Sequence, residues 1–184
     1  GVIGVNGTGK STFLKIIAGL EEPDEGRIVA GKGVTVSYLS QAPHFSPADT
    51  IVGYVLKGKS SASEAEAKAI LTKLGINDFD ASVSTLSGGQ RKRIALAGTL
   101  VEPAEVLILD EPTNHLDSEM VIWLEDYIRK FKGELIMVTH DRYFLDNVTN
   151  RIVELDKGKL YGYDTNYSGF LELKAQREEA ERAT

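Results

Sequence analysis

The first segment that could do chemistry is a glycine-rich turn close to the start of the chain, which fits the pattern G-x-x-x-x-G-K-[ST]. Glycines let successive backbone N–H groups point toward one centre, and the N-terminus of the following helix adds to the attraction for an anion. Lys10 supplies a positive charge for β- and γ-phosphates, and the Ser11 hydroxyl is a ligand for Mg²⁺. A chance lysine in an ordinary turn is disfavoured, because the segment follows an apolar run and precedes a helical pattern. The predicted phosphate loop comprises Gly4, Val5, Asn6, Gly7, Thr8, Gly9, Lys10, Ser11 and Thr12.

A second candidate is an apolar run, residues 106–109, that ends in Asp110 and Glu111. Four consecutive apolar residues are typical of a central parallel strand that is buried on both faces. The carboxyl ends of such strands form the edge at which open α/β sheets bind ligands. Asp110 suits a Mg²⁺ shell, directly or through water, and Glu111 is placed to polarise an attacking water as a general base. A solvated acid pair is the alternative, and the preceding phosphate loop favours the catalytic interpretation.

The third candidate is the pentapeptide LSGGQ, which contains Ser87, Gly88, Gly89 and Gln90. A serine cap followed by two glycines exposes a helix N-terminus that a phosphate can approach closely. An ordinary capped helix is the structural alternative.

Alternating strand and helix patterns must position these residues. Strand-like runs occur at residues 2–5, 27–30, 34–39, 106–109, 135–138, 152–155 and 160–163, and the last two flank a predicted hairpin turn. Helical patterns occur at residues 10–18, 63–74 and 87–101, and a further amphipathic face is marked by Met120, Trp123, Leu124, Tyr127, Ile128 and Phe131. The alternation predicts an α/β sheet with a parallel centre.

The composition excludes several classes of protein. The chain has 184 residues, of which 42% are hydrophobic and 26% charged, as expected for a folded soluble domain. A net charge of −6 argues against nucleic-acid binding by overall charge, although a local basic patch is compatible with it. The sequence lacks cysteine, which excludes disulfides, a thiol nucleophile and cysteine-ligated metal. No apolar run approaches the ~18 residues of a membrane span.

The pentapeptide, in this order with the other two motifs, resembles the signature of ATP-binding cassette (ABC) ATPases across essentially the whole chain. The resemblance implies an α/β P-loop NTPase of the ABC nucleotide-binding type. Such a domain has a parallel-centred sheet with helices, antiparallel β pieces near the start and a helical subdomain, here residues 42–102, that carries the signature.

The resemblance also implies roles for further residues. Gln41 matches the Q-loop glutamine that senses Mg²⁺ and water, and His140 matches the switch histidine at the γ-phosphate. Without the resemblance, His140 would more often be a structural or surface histidine. Asp117 closes a segment similar to the D-loop, which crosses to a partner site. The implied catalytic residues are Glu111, His140 and Gln41, and the implied Mg²⁺ ligands are Ser11, Gln41 and Asp110.

ABC cassettes act in head-to-tail pairs, so that each ATP lies between the phosphate loop of one cassette and the signature of the other. Ser87, Gly88, Gly89 and Gln90 are therefore expected to face the ATP of a second cassette, in the same polypeptide or in a second copy. A single cassette is expected to hydrolyse ATP weakly.

Two longer segments, DEPTNHLD from Asp110 and THDRYFLD from Thr139, are similar to the ABC-F proteins. ABC-F proteins are soluble twin-cassette ATPases, many of which act on the ribosome in translation regulation or antibiotic protection. The resemblance implies a cytoplasmic protein without membrane insertion, with ribosome or RNA as partner. Residues 1–164 are expected to form the first cassette, truncated at its start, and residues 165–184 to begin a linker helix, most clearly helical from residue 174.

The sequence leaves several alternatives open. Many ABC-F proteins carry a helical arm between the Q-loop and the signature, and here the chain has only a short Lys/Gly/Ser stretch at residues 57–61. An ABC transporter subunit is the alternative function. An ABC-type DNA-maintenance protein with negligible catalysis is less favoured, because Glu111 and His140 are both in place.

Overall fold

The computed structural model describes residues 1–4, 9–20, 22–23, 33–59 and 62–184, which form one mixed sheet covered by helices. The strands are β1 (Val2–Ile3), β2 (Val36–Leu39), β3 (Val106–Asp110), β4 (Glu134–Val138), β5 (Ile152–Asp156) and β6 (Lys159–Tyr163). The helices are α1 (Lys10–Ile17), α2 (Ile51–Leu56), α3 (Glu64–Lys73), α4 (Gly88–Val101), α5 (Ser118–Lys130), α6 (Arg142–Val148) and α7 (Tyr167–Arg182), with a 3-10 turn at Val83–Thr85.

The strand order is β2-β3-β4-β1-β5-β6. All neighbours from β2 to β5 are parallel, and β6 returns antiparallel to β5 as the predicted hairpin. In register, Leu109 lies beside Met137 and Asp110 beside Val138. The segments that follow β1, β2, β3 and β4 therefore meet at one edge of the sheet, and the predicted parallel-centred α/β fold is confirmed.

The strand predicted at residues 34–39 is present as β2, which pairs with β3 in parallel. The strand predicted at residues 27–30 lies outside the described part of the chain. The burial of Ser37 and Leu39 explains the placement of β2. The Ser37 hydroxyl donates to the Thr99 carbonyl at 2.8 Å, so this face of β2 packs on α4 and belongs to the main sheet.

The core lies on both faces of the sheet. Val2, Ile108 and Val138 pack against Leu14 of α1 on one face. On the other face, Leu107, Leu109 and Met137 belong to a larger cluster that includes residues of α4, α5 and α6. Strand β3 is thus buried on both sides, as its apolar run predicts, and its carboxyl end is held firmly at the site edge.

The helix ends explain which helices the sequence predicts. Ser63 caps α3, within the predicted helical pattern, by accepting from the Glu66 amide at 3.1 Å. Helices α2 and α6 were not predicted, because each is too short to show a clear period. Asp141 caps α6 by accepting from the Phe144 amide at 3.0 Å.

Helix α7 begins at Tyr167, earlier than the charged stretch from residue 174 indicates. Asn166 caps it by accepting from the Gly169 amide at 3.1 Å. The buried Phe170 then packs edge-on against Tyr163, with ring centroids 5.0 Å apart. An apolar first turn therefore precedes the charged part of the helix. Among the described helices, none combines the length and the apolarity that a bilayer span requires.

A buried carboxylate fixes α7 to the sheet. Glu154 of β5 accepts from Lys174 Nζ at 2.6 Å and from Arg177 Nη2 at 3.2 Å. The Arg177 guanidinium also lies 3.7 Å from the ring centroid of Tyr161. The hydrogen bond to Glu154 raises the pKa of the Lys174 ammonium, which therefore stays charged at neutral pH.

Replacing Glu154 by Gln should loosen α7, because the amide carries no charge and only one oxygen for two cations. The expected loss in the free energy of unfolding is about 1.5–3 kcal/mol, the range for hydrogen bonds to charged groups. Urea unfolding measures this loss, and amide exchange shows whether it falls on α7. Glu179→Gln, at an exposed position of α7, is the matched control. Equal unfolding curves for the two variants would contradict this role of Glu154.

Candidate functional site

The predicted phosphate loop connects β1 to α1. Val5, Asn6, Gly7 and Thr8 lie outside the described residues, as does the Ser11 side chain, whereas Gly4, Gly9, Lys10 and the exposed Thr12 are described. Gly9 has φ +89°, a left-handed conformation that favours glycine, and it forms the N-cap of α1. Since glycine carries no side-chain acceptor, the first N–H groups of α1 have no side-chain cap and can serve an anion.

Lys10 closes the two ends of this loop. Its side chain is largely buried, and Nζ donates a hydrogen bond to the Gly4 carbonyl, which directly follows β1. The ammonium therefore lies at the carboxyl end of β1, where the motif predicts phosphate binding.

Glu111 and His140 meet at the same edge, although they are far apart in sequence. The Glu111 amide donates to the Val138 carbonyl at 2.7 Å, which attaches the residue to the end of β4. Its carboxylate accepts from the His140 amide at 3.2 Å and also bonds the His140 ring through Nδ1. Glu111 has φ +53°, a conformation that costs a non-glycine residue about 1–3 kcal/mol. The structure thus holds the predicted base in one orientation.

The solvent exposure of this pair is unequal. The Glu111 side chain is 7% exposed, whereas the His140 side chain is 64% exposed. The shielded Glu111 carboxylate suits a general base that faces a bound ligand. The exposed His140 imidazole suits a group that reaches the same ligand from the solvent side.

Gln41 and Asp110 line a small pocket together with Glu111 and the side chains of Pro43 and Lys92. Asp110 is buried at the end of β3, and Gln41 is exposed just beyond β2. Carboxylate and amide oxygens are donors for a hard cation such as Mg²⁺. Within the described ranges, no group of three or more His, Cys, Asp or Glu side chains forms a metal cage. Such a cage is not needed where phosphates and water complete the shell.

The predicted signature residues lie outside this pocket, on the first turn of α4. Ser87 and Gln90 form the predicted capping box, with the Gln90 amide donating to Ser87 Oγ at 3.2 Å and the Ser87 amide donating to Gln90 Oε1 at 2.9 Å. A methyl group at position 88 would meet no atom within 4 Å. The backbone at Gly88 is therefore open to a partner of this chain.

Asp117 has a local structural role in addition to its predicted place in the D-loop. Its carboxylate caps α5 by accepting from the Met120 amide at 2.9 Å. The spacing of an Asp ahead of an apolar helix would have predicted this cap. Lys92 also lines the pocket, from the second turn of α4, and no sequence motif marks this residue.

A larger cavity of about 650 Å³ lies between the C-terminal ends of α4 and α5. Trp123, Tyr127 and Phe131 line it, and it contains none of the predicted site residues. This cavity therefore lies apart from the candidate site.

Comparison with known proteins identifies the family. A family model described as ABC transporter matches residues 1–114. The chain belongs to this ABC family. The ABC cassette is 43% identical over 219 residues to the uncharacterized ABC transporter ATP-binding protein YfmR of Bacillus subtilis (strain 168), covering 97% of this chain and 35% of that protein. It is 37% identical over 226 residues to the energy-dependent translational throttle protein EttA of Haemophilus influenzae, covering 100% of this chain and 41% of that protein.

A solved structure with a similar fold is the complex of archaeal ribosomal stalk protein aP1 and archaeal ribosome recycling factor aABCE1. The matching chain has 36% identity and a TM-score of 0.68, and the match covers 88% of the cassette and 33% of that chain. These similarities agree with the ABC-F-like cassette predicted from the sequence. The chain spans 35% of the length of YfmR and 41% of the length of EttA.

The alignments are also longer than the chain. An aligned length of 219 residues exceeds the 184 residues of this cassette, so the relative has residues without a counterpart here.

Proposed function

We propose that this cassette binds ATP with Mg²⁺ and hydrolyses the terminal phosphate as one half of a head-to-tail pair. The observation that carries the proposal is the fixed Glu111 carboxylate, bonded to His140 beside the buried Asp110. This arrangement lies at the sheet edge where the phosphate loop begins. A structural acid pair at the surface would require neither the left-handed backbone nor the shared pocket with Gln41.

The proposed roles of the site residues follow from the charge and the donor atoms of each side chain. Lys10 and the loop amides would bind the phosphates, while Ser11, Gln41 and Asp110 would hold Mg²⁺. The metal, when bound, neutralises charge that develops on the phosphate oxygens. Glu111 would accept a proton from the attacking water, and His140 would fix Glu111 and donate to the γ-phosphate.

One cassette supplies only part of this arrangement, because Ser87 and Gly88 do not line the pocket that holds Glu111 and Asp110. Phosphoryl transfer depends on positioning and charge neutralisation around the transferred group. The open first turn of α4 would supply N–H donors to the ATP of the second cassette.

The pairing leads to a prediction for the isolated cassette. At concentrations where the chain is monomeric, ATP hydrolysis should be slow, and the rate per chain should rise with protein concentration as pairs form. Steady-state phosphate release, measured together with light scattering on the same samples, tests this expectation. A high rate per chain in a strictly monomeric sample would contradict the pairing.

For the biological setting, we propose a cytoplasmic, ribosome-associated role in the control of translation. The support is the similarity to translational throttle proteins and to a chain from the complex of a ribosome recycling factor with a ribosomal stalk protein. Binding of the Glu111→Gln form of the full-length protein to ribosomes in ATP, measured by co-sedimentation, tests it. The family description favours a second candidate, a transporter subunit, which would instead be recovered with a membrane protein.

We also propose that residues 1–164 form the cassette, that residues 42–102 form its helical subdomain and that residues 165–184 begin a linker. Supporting observations are the packing of α2 and α3 on α4 and the change to an exposed, charged helix along α7. The ties from Glu154 would fix the first half of that linker to the cassette.

A further inference from the structure

The signature turn and the D-loop segment of the same chain are in direct contact. A methyl group at position 89 would lie 3.2 Å from Nδ1 and 3.4 Å from Cγ of His115. A side chain at position 89 would therefore require the imidazole to shift by a few tenths of an ångström. At Gly88, the neighbouring position, an added methyl group would meet no atom within 4 Å. The contact is specific to one of the two adjacent glycines.

His115 is itself held in an unusual backbone conformation. Its φ is +64°, in the left-handed region that few non-glycine residues adopt. Two residues later, Asp117 caps α5 through the Met120 amide. The imidazole is therefore presented to Gly89 by a short turn that is anchored on α5.

The other end of this turn is the proposed general base. The Asn114 amide donates to the Glu111 carbonyl at 3.3 Å, and Glu111 is also left-handed, with φ +53°. Buried Pro112 follows it and further limits the backbone. A short, internally bonded turn thus lies between the Glu111 carboxylate and the ring that contacts Gly89.

We infer that His115 is a positioning residue that couples the signature turn to Glu111. A displacement of Gly89 moves the imidazole, and the turn at residues 111–117 transmits that movement to the carboxylate and its bond to His140. The meaning of this coupling rests on the proposed function: the turn that would contact the partner's ATP would also set the base for the chain's own ATP.

The test uses the histidine ring signals in NMR spectra of the chain without nucleotide. The sequence contains 3 histidines, so each signal can be assigned with single-histidine variants. Gly89→Ala should shift the signals of both His115 and His140, because the methyl displaces the imidazole and thereby Glu111. Gly88→Ala is the matched control, with the same added methyl on the same helical turn, and should leave His140 unchanged.

A double variant separates coupling from general disturbance. Asn tolerates the left-handed backbone but lacks the imidazole ring. The ring signal of His140 should therefore have the same chemical shift in the Gly89→Ala, His115→Asn double variant as in His115→Asn alone. A shift at His140 that persists without the ring, or no shift at His140 in Gly89→Ala, would overturn the inference. Because no nucleotide is present, a failure of the proposed ATPase activity would not produce either result.

Discussion

Glu111→Gln is expected to reduce ATP hydrolysis by the paired cassette by about 10²–10⁴-fold, the usual contribution of a positioned general base. The amide has nearly the same shape as the carboxylate and can still accept from the His140 amide, so the turn after β3 should keep its geometry. ATP binding should persist, because Lys10 and the phosphate loop are unchanged. The variant should therefore accumulate as an ATP-bound pair.

Single-turnover hydrolysis measures the rate, and light scattering with and without ATP measures the fraction of the protein that is paired. Glu134→Gln is a suitable control, since Glu134 is an exposed acid at the opposite end of β4. That control should hydrolyse ATP at the unaltered rate. If Glu111→Gln did the same, another group would have to activate the water.

Lys10→Ala is expected to weaken ATP binding by about 10- to 100-fold, corresponding to the loss of a charged hydrogen bond of roughly 1.5–3 kcal/mol. The ammonium lies at the mouth of the loop and is the only side-chain cation of the motif itself. In contrast to Glu111→Gln, this variant should show a larger defect in ATP affinity than in the rate at which bound ATP is hydrolysed.

Equilibrium titration with a fluorescent ATP analogue measures the affinity. Lys15→Ala, on the last turn of the same helix, is the control and should bind as the unaltered chain does. Thermal unfolding of both variants distinguishes a lost phosphate contact from a loosened loop, because Lys10 also bonds the Gly4 carbonyl. Unchanged affinity of the Lys10 variant would contradict the loop assignment.

The sequence was most informative where local chemistry is independent of distant residues. Ser87 and Gln90 predict a helix start because their capping exchange involves only one turn, and the structure contains both hydrogen bonds. The apolar run before Asp110 predicts a strand buried on both faces for the same reason. The family and the parallel centre of the sheet followed from the order of these local signals.

Contacts between distant segments were not predictable in the same way. Without the family resemblance, nothing in the residues around Glu111 indicates that His140 will bond its carboxylate. The pairing arises because β3 and β4 lie side by side in a defined register. The buried bonds of Glu154 to Lys174 and Arg177 likewise depend on where α7 packs.

Backbone conformation was the feature that the sequence predicted least well. Glu111 and His115 adopt left-handed φ values although neither is glycine, so sequence alone marks neither position. The tertiary structure must stabilise both residues against their local preference. The first residues of α7 are also less visible in the sequence, since the charged helical pattern is clear only from residue 174, after a turn that contains the buried Phe170.

The central claim concerns where the triphosphate binds, and a crystal structure of the Glu111→Gln protein with ATP and Mg²⁺ tests it most directly. The account predicts phosphate oxygens about 3 Å from the Lys10 ammonium and from the first amides of α1, with the metal beside Asp110. It further predicts Ser87 and Gly88 of a second cassette against the terminal phosphate. Nucleotide bound elsewhere, with Lys10 still on the Gly4 carbonyl, would contradict the account.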